Sequence, residues 1–384
     1  MPPAGPSGGP GPPSVHGGPV DGVTRAASSR NALPGRRRSP RRGFAAALHG
    51  PDGPVLLRDV LGRYPLFAER DGPGWAFDRT ELRSPVAVPA GHARGTADGD
   101  VVEERVWSLP DLSPEREEGA AVAGVADAVD AALGTAAAEP DETAVAFSGG
   151  VDSALVAAGL GGPCYVAGFP DSHDVETARA AAAAMGLDLR VVELEHRDLE
   201  RAVPAVARAT GRTNAMDVSI ALPLYLVAER AAADGFDRLA VGQGADELFG
   251  GYQKVARAPE DNRVEADTIR GARLETVRSL PGGLERDVLA LRHAGVEPVA
   301  PLLDDRVVAA ALSLPGDLLV DGEERKVALR RAASRWLPDP VVSRDKKAVQ
   351  YGSLVSRELD RLARQAGFKR RMDRHVDRYV ESLL

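Results

Sequence analysis

The chain has 384 residues, enough for two domains with a sizeable core. Its 43% hydrophobic and 27% charged residues are a globular composition, while a formal charge of -8 and only 4% aromatics exclude a basic or base-stacking surface for nucleic acid. The single cysteine, Cys164, excludes an intramolecular disulfide, a paired-thiol redox centre and a cysteine-built zinc site.

Residues 1–42 are rich in Pro and Gly and end in Arg36, Arg37, Arg38, Arg41 and Arg42, a composition that predicts a disordered tail with solvated arginines. Arg41-Arg42-Gly43-Phe44 faintly resembles a twin-arginine export signal, but His49, Gly50, Pro51 and Asp52 cut its apolar stretch short. No run of 18 apolar residues occurs, so a cytoplasmic protein with neither membrane nor nucleic acid as partner is expected. Across 43–108, short apolar runs at 54–59, 64–67 and 75–77, broken by turn residues, predict a small antiparallel β unit.

Residues 109–384 read differently. Val122, Val125, Ala126, Val129 and Leu133 recur at helical spacing and predict a helix over 114–134. A strand at 143–147, a helix at 152–160, a strand at 164–168, a helix at 174–186 and a strand at 189–194 follow. Helices at 197–209 and 217–234 lead to a fourth strand at 238–241. This alternation predicts an α/β fold, a parallel sheet with helices on both faces, whose ligands bind at the carboxyl ends of the strands. Beyond about 255 the pattern is mainly helical.

The first of these strands runs into Ser148-Gly149-Gly150-Val151-Asp152-Ser153. Two glycines let backbone N–H groups approach an anion, the following helix adds its positive end, and Ser148 and Ser153 offer hydroxyls. Asp152 has no place beside phosphate unless a divalent cation lies between them. A serine-capped turn would explain everything in the segment except that aspartate. After the fourth strand comes a second glycine-rich loop, Gly242-Gln243-Gly244-Ala245-Asp246-Glu247-Leu248-Phe249-Gly250-Gly251-Tyr252, at the same sheet edge. Asp246 and Glu247 alone could simply favour a helix dipole. With both loops present, Asp152 and Asp246 can converge on magnesium. The seven histidines form no HxH or HxxxH pair, so no transition-metal site is indicated.

The first loop resembles the pyrophosphate loop of the PP-loop ATP pyrophosphatases, and the second resembles the signature of asparagine synthetases. Leu284-Glu285-Arg286-Asp287, Gly295-Val296-Glu297-Pro298 and Pro301-Leu302-Leu303-Asp304 look like that family's helical part. The resemblance implies an adenine nucleotide alpha hydrolase-like fold with a mainly helical C-terminal part. It implies ATP held by Phe147, Ser148, Gly149, Gly150, Asp152, Ser153, Ala167, Val241, Gly242 and Lys326, and Mg2+ on Asp152 and Asp246. Lys346, Gln243 and Asp246 are the implied catalytic residues. A carboxylate such as aspartate would form an acyl-adenylate with loss of pyrophosphate, and ammonia would attack it. Only five residues are lysine, which favours site roles for Lys326 and Lys346.

The resemblance breaks in two places. The family's glutaminase domain begins with a cysteine directly after its initiator Met, whereas Pro2 stands here. Yet 58–66 and Pro89-Ala90-Gly91-His92 resemble that domain's later half. Residues 43–108 therefore look like a truncated, non-catalytic remnant, with ammonia drawn from solution or from a glutaminase partner. Gln243 stands where the family carries a glutamate. An amide cannot take a proton, and positioned acid–base catalysis contributes on the order of 10²- to 10⁴-fold. Another PP-loop adenylating enzyme, of the β-lactam synthetase kind, and a non-catalytic nucleotide-binding protein stay open as alternatives.

Overall fold

The computed structural model describes residues 14–16, 43–50, 52–139, 141–258, 266–344 and 353–384. The chain divides into two compact units between Pro110 and Asp111.

In the first unit, β1 (Ser14–His16) pairs antiparallel with β2 (Ala45–Gly50), so three residues of the expected disordered tail are extended and paired; the rest of 1–42 lies outside the described residues. β2 continues to β3 (Gly53–Arg58), and β4 (Phe67–Glu69), β5 (Trp75–Ala76) and β6 (Pro85–Ala87) form a separate three-stranded sheet. β7 (His92–Ala97) and β8 (Asp100–Arg105) complete the first sheet in the order β1-β2-β3-β7-β8. The segment 58–66 turns on two buried charges. Arg58 donates to the carbonyls of Tyr64 at 2.9 Å, Val88 at 2.9 Å and Gly62 at 3.0 Å. Asp59 accepts from the backbone N–H of Leu61 at 2.9 Å and of Arg63 at 3.0 Å, and from the Arg63 guanidinium at 3.0 Å. Arg58→Met strips three carbonyls of their donor at once, so it is expected to destabilise this unit by about 3 kcal/mol. Urea unfolding followed at the unit's tryptophans checks it.

The second unit opens with α1 (Glu118–Ala137), capped by the Glu117 carboxylate on the N–H groups of Gly119 and Ala120. By length and composition α1 could cross a membrane, and it is the one such helix among the described residues. It carries Asp127 and Asp130 outward and buries Val125, Val129 and Leu133 within the unit. Then β9 (Thr143–Ala146), α2 (Val151–Leu160), β10 (Cys164–Gly168), α3 (His173–Met185) and β11 (Leu189–Glu193) alternate. α4 (His196–Thr210) and α5 (Ala215–Ala233) return the chain to β12 (Arg238–Ala240). The short α6 (Ala245–Leu248) and α7 (Gln253–Ala256) precede α8 (Ile269–His293), which continues through Pro281.

A fifth strand, β13 (Glu297–Val299), follows in the region that the sequence predicted to be mainly helical. Its Pro298 has no N–H to give, which suits the sheet edge it occupies. The sheet order is β11-β10-β9-β12-β13, with every pair parallel. Ala144, Tyr165, Ala167, Leu239 and Val241 pack with Leu199, Leu222 and Leu291 from α4, α5 and α8. Val145, Cys164, Val166 and Ala240 alternate with them and are equally buried, as helices on both faces require. The remainder is mainly helical: α9 (Asp305–Leu312), a small hairpin of β14 (Val320–Asp321) and β15 (Glu324–Arg325), α10 (Val327–Ala333), α11 (Asp339–Val342), α12 (Val355–Gln365) and α13 (His375–Ser382).

Candidate active site

From β9 the chain moves outward through β10 to β11, then crosses back to place β12 on the other side of β9. That reversal makes a crevice at the carboxyl ends of β9 and β12, and both glycine-rich loops open into it. Gly149 adopts φ +75, and a Cβ there would lie 2.7 Å from the Thr177 carbonyl oxygen, so the turn admits only glycine. Ser153 closes the loop by accepting from the Ser148 N–H at 3.2 Å and donating to the Gly150 carbonyl at 3.1 Å. Gly242 brings the second loop against the first, since a Cβ on it would stand 2.9 Å from the Asp152 Cβ.

Two carboxylates from different loops meet one cation here. The Lys326 ammonium lies 2.8 Å and 2.7 Å from the two carboxylate oxygens of Asp152 and 2.5 Å from Asp246 Oδ1. Lys326 is buried at the N-terminus of α10, where its backbone holds the left-handed φ of +60. Gly251 makes room, because a Cβ on it would collide with both the Asp246 carboxylate and the Lys326 Cε. Burial opposes the ammonium's charge, but Asp152 and Asp246 together outweigh it and hold the lysine pKa above its usual value.

A second polar chain crosses the crevice from the other loop. Gln243 donates through Nε2 to Asp287 Oδ2 at 2.5 Å. Asp287 also accepts from Arg286 Nε at 2.7 Å, and Arg286 Nη1 reaches Asp217 on α5 at 2.9 Å. Burial works against the Arg286 guanidinium, yet Asp287 and then Asp217 raise its pKa beyond that of an ordinary arginine. Beside them Tyr252 donates to Glu247 Oε1 at 2.5 Å. Burial raises the Glu247 carboxyl above its usual range; that hydrogen bond acts the other way, and the neighbouring Asp246 charge adds to the rise.

Apart from Asp217, the side chains of these two clusters line one cavity of about 550 Å³. Phe147, Ser148, Asp152, Ser153, Ala167, Val241, Gly242, Gln243, Asp246 and Lys326 all face it, with Gly149 and Gly150 forming the turn beneath. Lys346 lies outside the described residues. Arg344, just before it, lines the cavity and donates to the Thr177 carbonyl at 2.9 Å. Sequence reasoning assigned no role to Asp287 or Arg286. Their one signal was Leu284-Glu285-Arg286-Asp287, of which Arg286 and Asp287 are buried on α8. Cys164 is fully buried on β10, and burial followed by the Asp188 charge pushes its thiol up to about 12.

A family model described as asparagine synthase matches residues 124–290 and 270–380. The chain is 32% identical over 275 residues to a putative glutamine-hydrolysing asparagine synthetase of Methanocaldococcus jannaschii, a match covering 62% of the chain and 50% of that protein. Against asparagine synthetase B of Escherichia coli the identity is 24%, over 80% of the chain and 60% of the relative. A carboxyethyl-arginine beta-lactam-synthase of Streptomyces clavuligerus is 28% identical, over 83% of the chain and 66% of its own length. The chain thus spans between half and two thirds of these relatives.

Proposed function

The chain belongs to the asparagine synthase family, and from that premise we propose that it is an ATP-dependent amide-forming ligase releasing AMP and pyrophosphate. The reading rests above all on the meeting of Asp152 and Asp246, carried by two glycine-rich loops at adjacent strand ends, on a single cation. The carboxylates offer hard oxygen donors, which suits Mg2+, and the position already accepts positive charge. Bound there, Mg2+ would neutralise charge on the phosphates. The N–H groups of the Ser148-Gly149-Gly150 turn and the N-terminus of α2 would hold the leaving pyrophosphate. Ala167 and Val241 would pack against the nucleoside.

The substrate carboxylate attacks the α-phosphorus, pyrophosphate leaves, and the resulting acyl-adenylate loses AMP when ammonia attacks the acyl carbon. Such chemistry is chiefly positioning and charge stabilisation. Gln243, fixed by Asp287, orients the reacting groups, and Lys346 stabilises charge on the acyl oxygen or the departing adenylate. Aspartate is the first acid to test. Incubation with ATP, Mg2+, ammonium and candidate acids, with AMP and pyrophosphate assayed, decides it; no acid-dependent pyrophosphate from any of them would sink the proposal. The similarity to a carboxyethyl-arginine beta-lactam-synthase supports a second outcome of the same assay. An amino-acid acceptor that yields AMP and pyrophosphate without ammonia would place the chain beside the β-lactam-forming relative.

The nitrogen source follows from Cys164. A buried thiol with its pKa near 12 is neither ionised nor reachable at neutral pH, so it cannot open the amide of glutamine. Ammonium is expected to support product formation by the purified chain, and glutamine is not unless a glutaminase partner is added. Glutamate released from glutamine by the chain alone would overturn this.

A further inference from the structure

The Lys326 ammonium is coordinated much as a small cation would be. Three carboxylate oxygens from two loops lie within 2.8 Å of it, and the side chain is 7% exposed. Several features hold it there. The left-handed backbone of Lys326 aims the side chain back from the start of α10, and Ala328 N–H anchors that turn on the Leu318 carbonyl at 2.8 Å. Gly251 leaves the space that the Lys326 stem and the Asp246 carboxylate both occupy, since a Cβ there would collide with each.

Both oxygens of Asp152 are engaged by the ammonium, as is Oδ1 of Asp246. A magnesium ion binds oxygen at about 2.0–2.1 Å, so an ion that takes the carboxylate lone pairs now facing the ammonium has to displace it. The lysine is tethered, so its effective concentration at the carboxylates is high, and a free divalent ion competes poorly with it. A triphosphate changes the balance by offering the ammonium new anionic partners within its reach.

We infer that Lys326 is the resident counter-cation of this site: Asp152 and Asp246 become available to a divalent ion only when nucleotide phosphates draw the ammonium away. Metal and nucleotide then load as one unit. The inference rests on the ligase reading above, and it assigns Lys326 two successive partners rather than the phosphates alone. The exchange keeps the carboxylates neutralised at every stage, so the buried Asp152 never stands bare beside the charge of Asp246.

Equilibrium dialysis with Mn2+ tests this without turnover. Wild-type protein is expected to take up Mn2+ weakly alone and strongly when α,β-methylene-ATP is present on both sides of the dialysis cell. Lys326→Met should bind Mn2+ without nucleotide at least tenfold more tightly than wild type, and the gain should vanish in Lys326→Met with Asp152→Asn. Should Lys326→Met not fold, Lys326→Gln replaces it, and the wild-type arms stand by themselves. Tight, nucleotide-independent Mn2+ uptake by wild type, equal to that of the variant, overturns the exchange. Wild type that retains no Mn2+ even with the analogue overturns the metal assignment and the ligase reading with it, a separate result.

Discussion

Asp152→Asn is expected to slow pyrophosphate release from ATP by on the order of 10³-fold, and Asp246→Asn by a similar factor, because each removes a carboxylate that would hold the divalent cation neutralising the phosphates. The two should differ in stability. Asp152 is buried and gives the Lys326 ammonium two of its three carboxylate contacts, so its loss leaves that cation with Asp246 alone. That costs about 1–3 kcal/mol, the usual penalty for stripping a buried group of its partner. Asp246 is more open, at 32% side-chain exposure, and its replacement should barely move the melting temperature. Pyrophosphate release measured beside a thermal melt separates the two effects. Normal turnover by either variant would remove that aspartate from the site.

The loops behind this prediction were plain in the sequence because their requirements are local. An apolar strand, two glycines and a helix start can be recognised within a dozen residues, and the structure places Gly149 at a φ that only such a residue adopts freely. The contacts between loops were not local. The family resemblance and the scarcity of lysine single out Lys326, yet its seat between Asp152 and Asp246 depends on a partner 174 residues away. β13 escaped for a related reason. Three residues with a proline inside carry no periodic signal, and what makes them a strand is Glu297 N–H on the Asp237 carbonyl and Val241 N–H on the Val299 carbonyl. α8 runs for 25 residues through Pro281, Gly282 and Gly283, each a poor helix former, because tertiary packing of Val277, Leu280, Leu284 and Leu291 overrides propensity. Asp287 rides on that helix, so its meeting with Gln243 could not be seen until the helix was.

That meeting decides what Gln243→Glu should do. Two histories fit an amide where the family carries a glutamate: a working base was lost, or the site was rebuilt around a neutral donor. In the first, restoring the carboxylate accelerates amide formation. In the second it does harm, and the geometry favours harm. The Gln243 amide nitrogen donates to Asp287 at 2.5 Å, so the substitution would set two carboxylates against each other at a distance where both cannot stay ionised. Arg286 relieves part of this, but it is already shared between Asp287 and Asp217. Gln243→Glu is therefore expected to lower the amide-forming rate by roughly 10- to 100-fold near pH 8, in line with the loss of a positioned polar group. Like-charge proximity raises the pKa of one carboxyl, and its protonated form can donate as the amide does. The deficit relative to wild type should accordingly shrink as the pH falls toward 6. Pairing Gln243→Glu with Asp287→Asn exchanges donor and acceptor, leaves Arg286 with Asp217 and the new carboxylate, and should recover most of the loss. Rates and ATP affinity measured for the two single variants and the pair settle the matter: a single Gln243→Glu variant that is faster than wild type with unchanged ATP affinity would mean that a base had been lost and that Asp287 does not fix the amide.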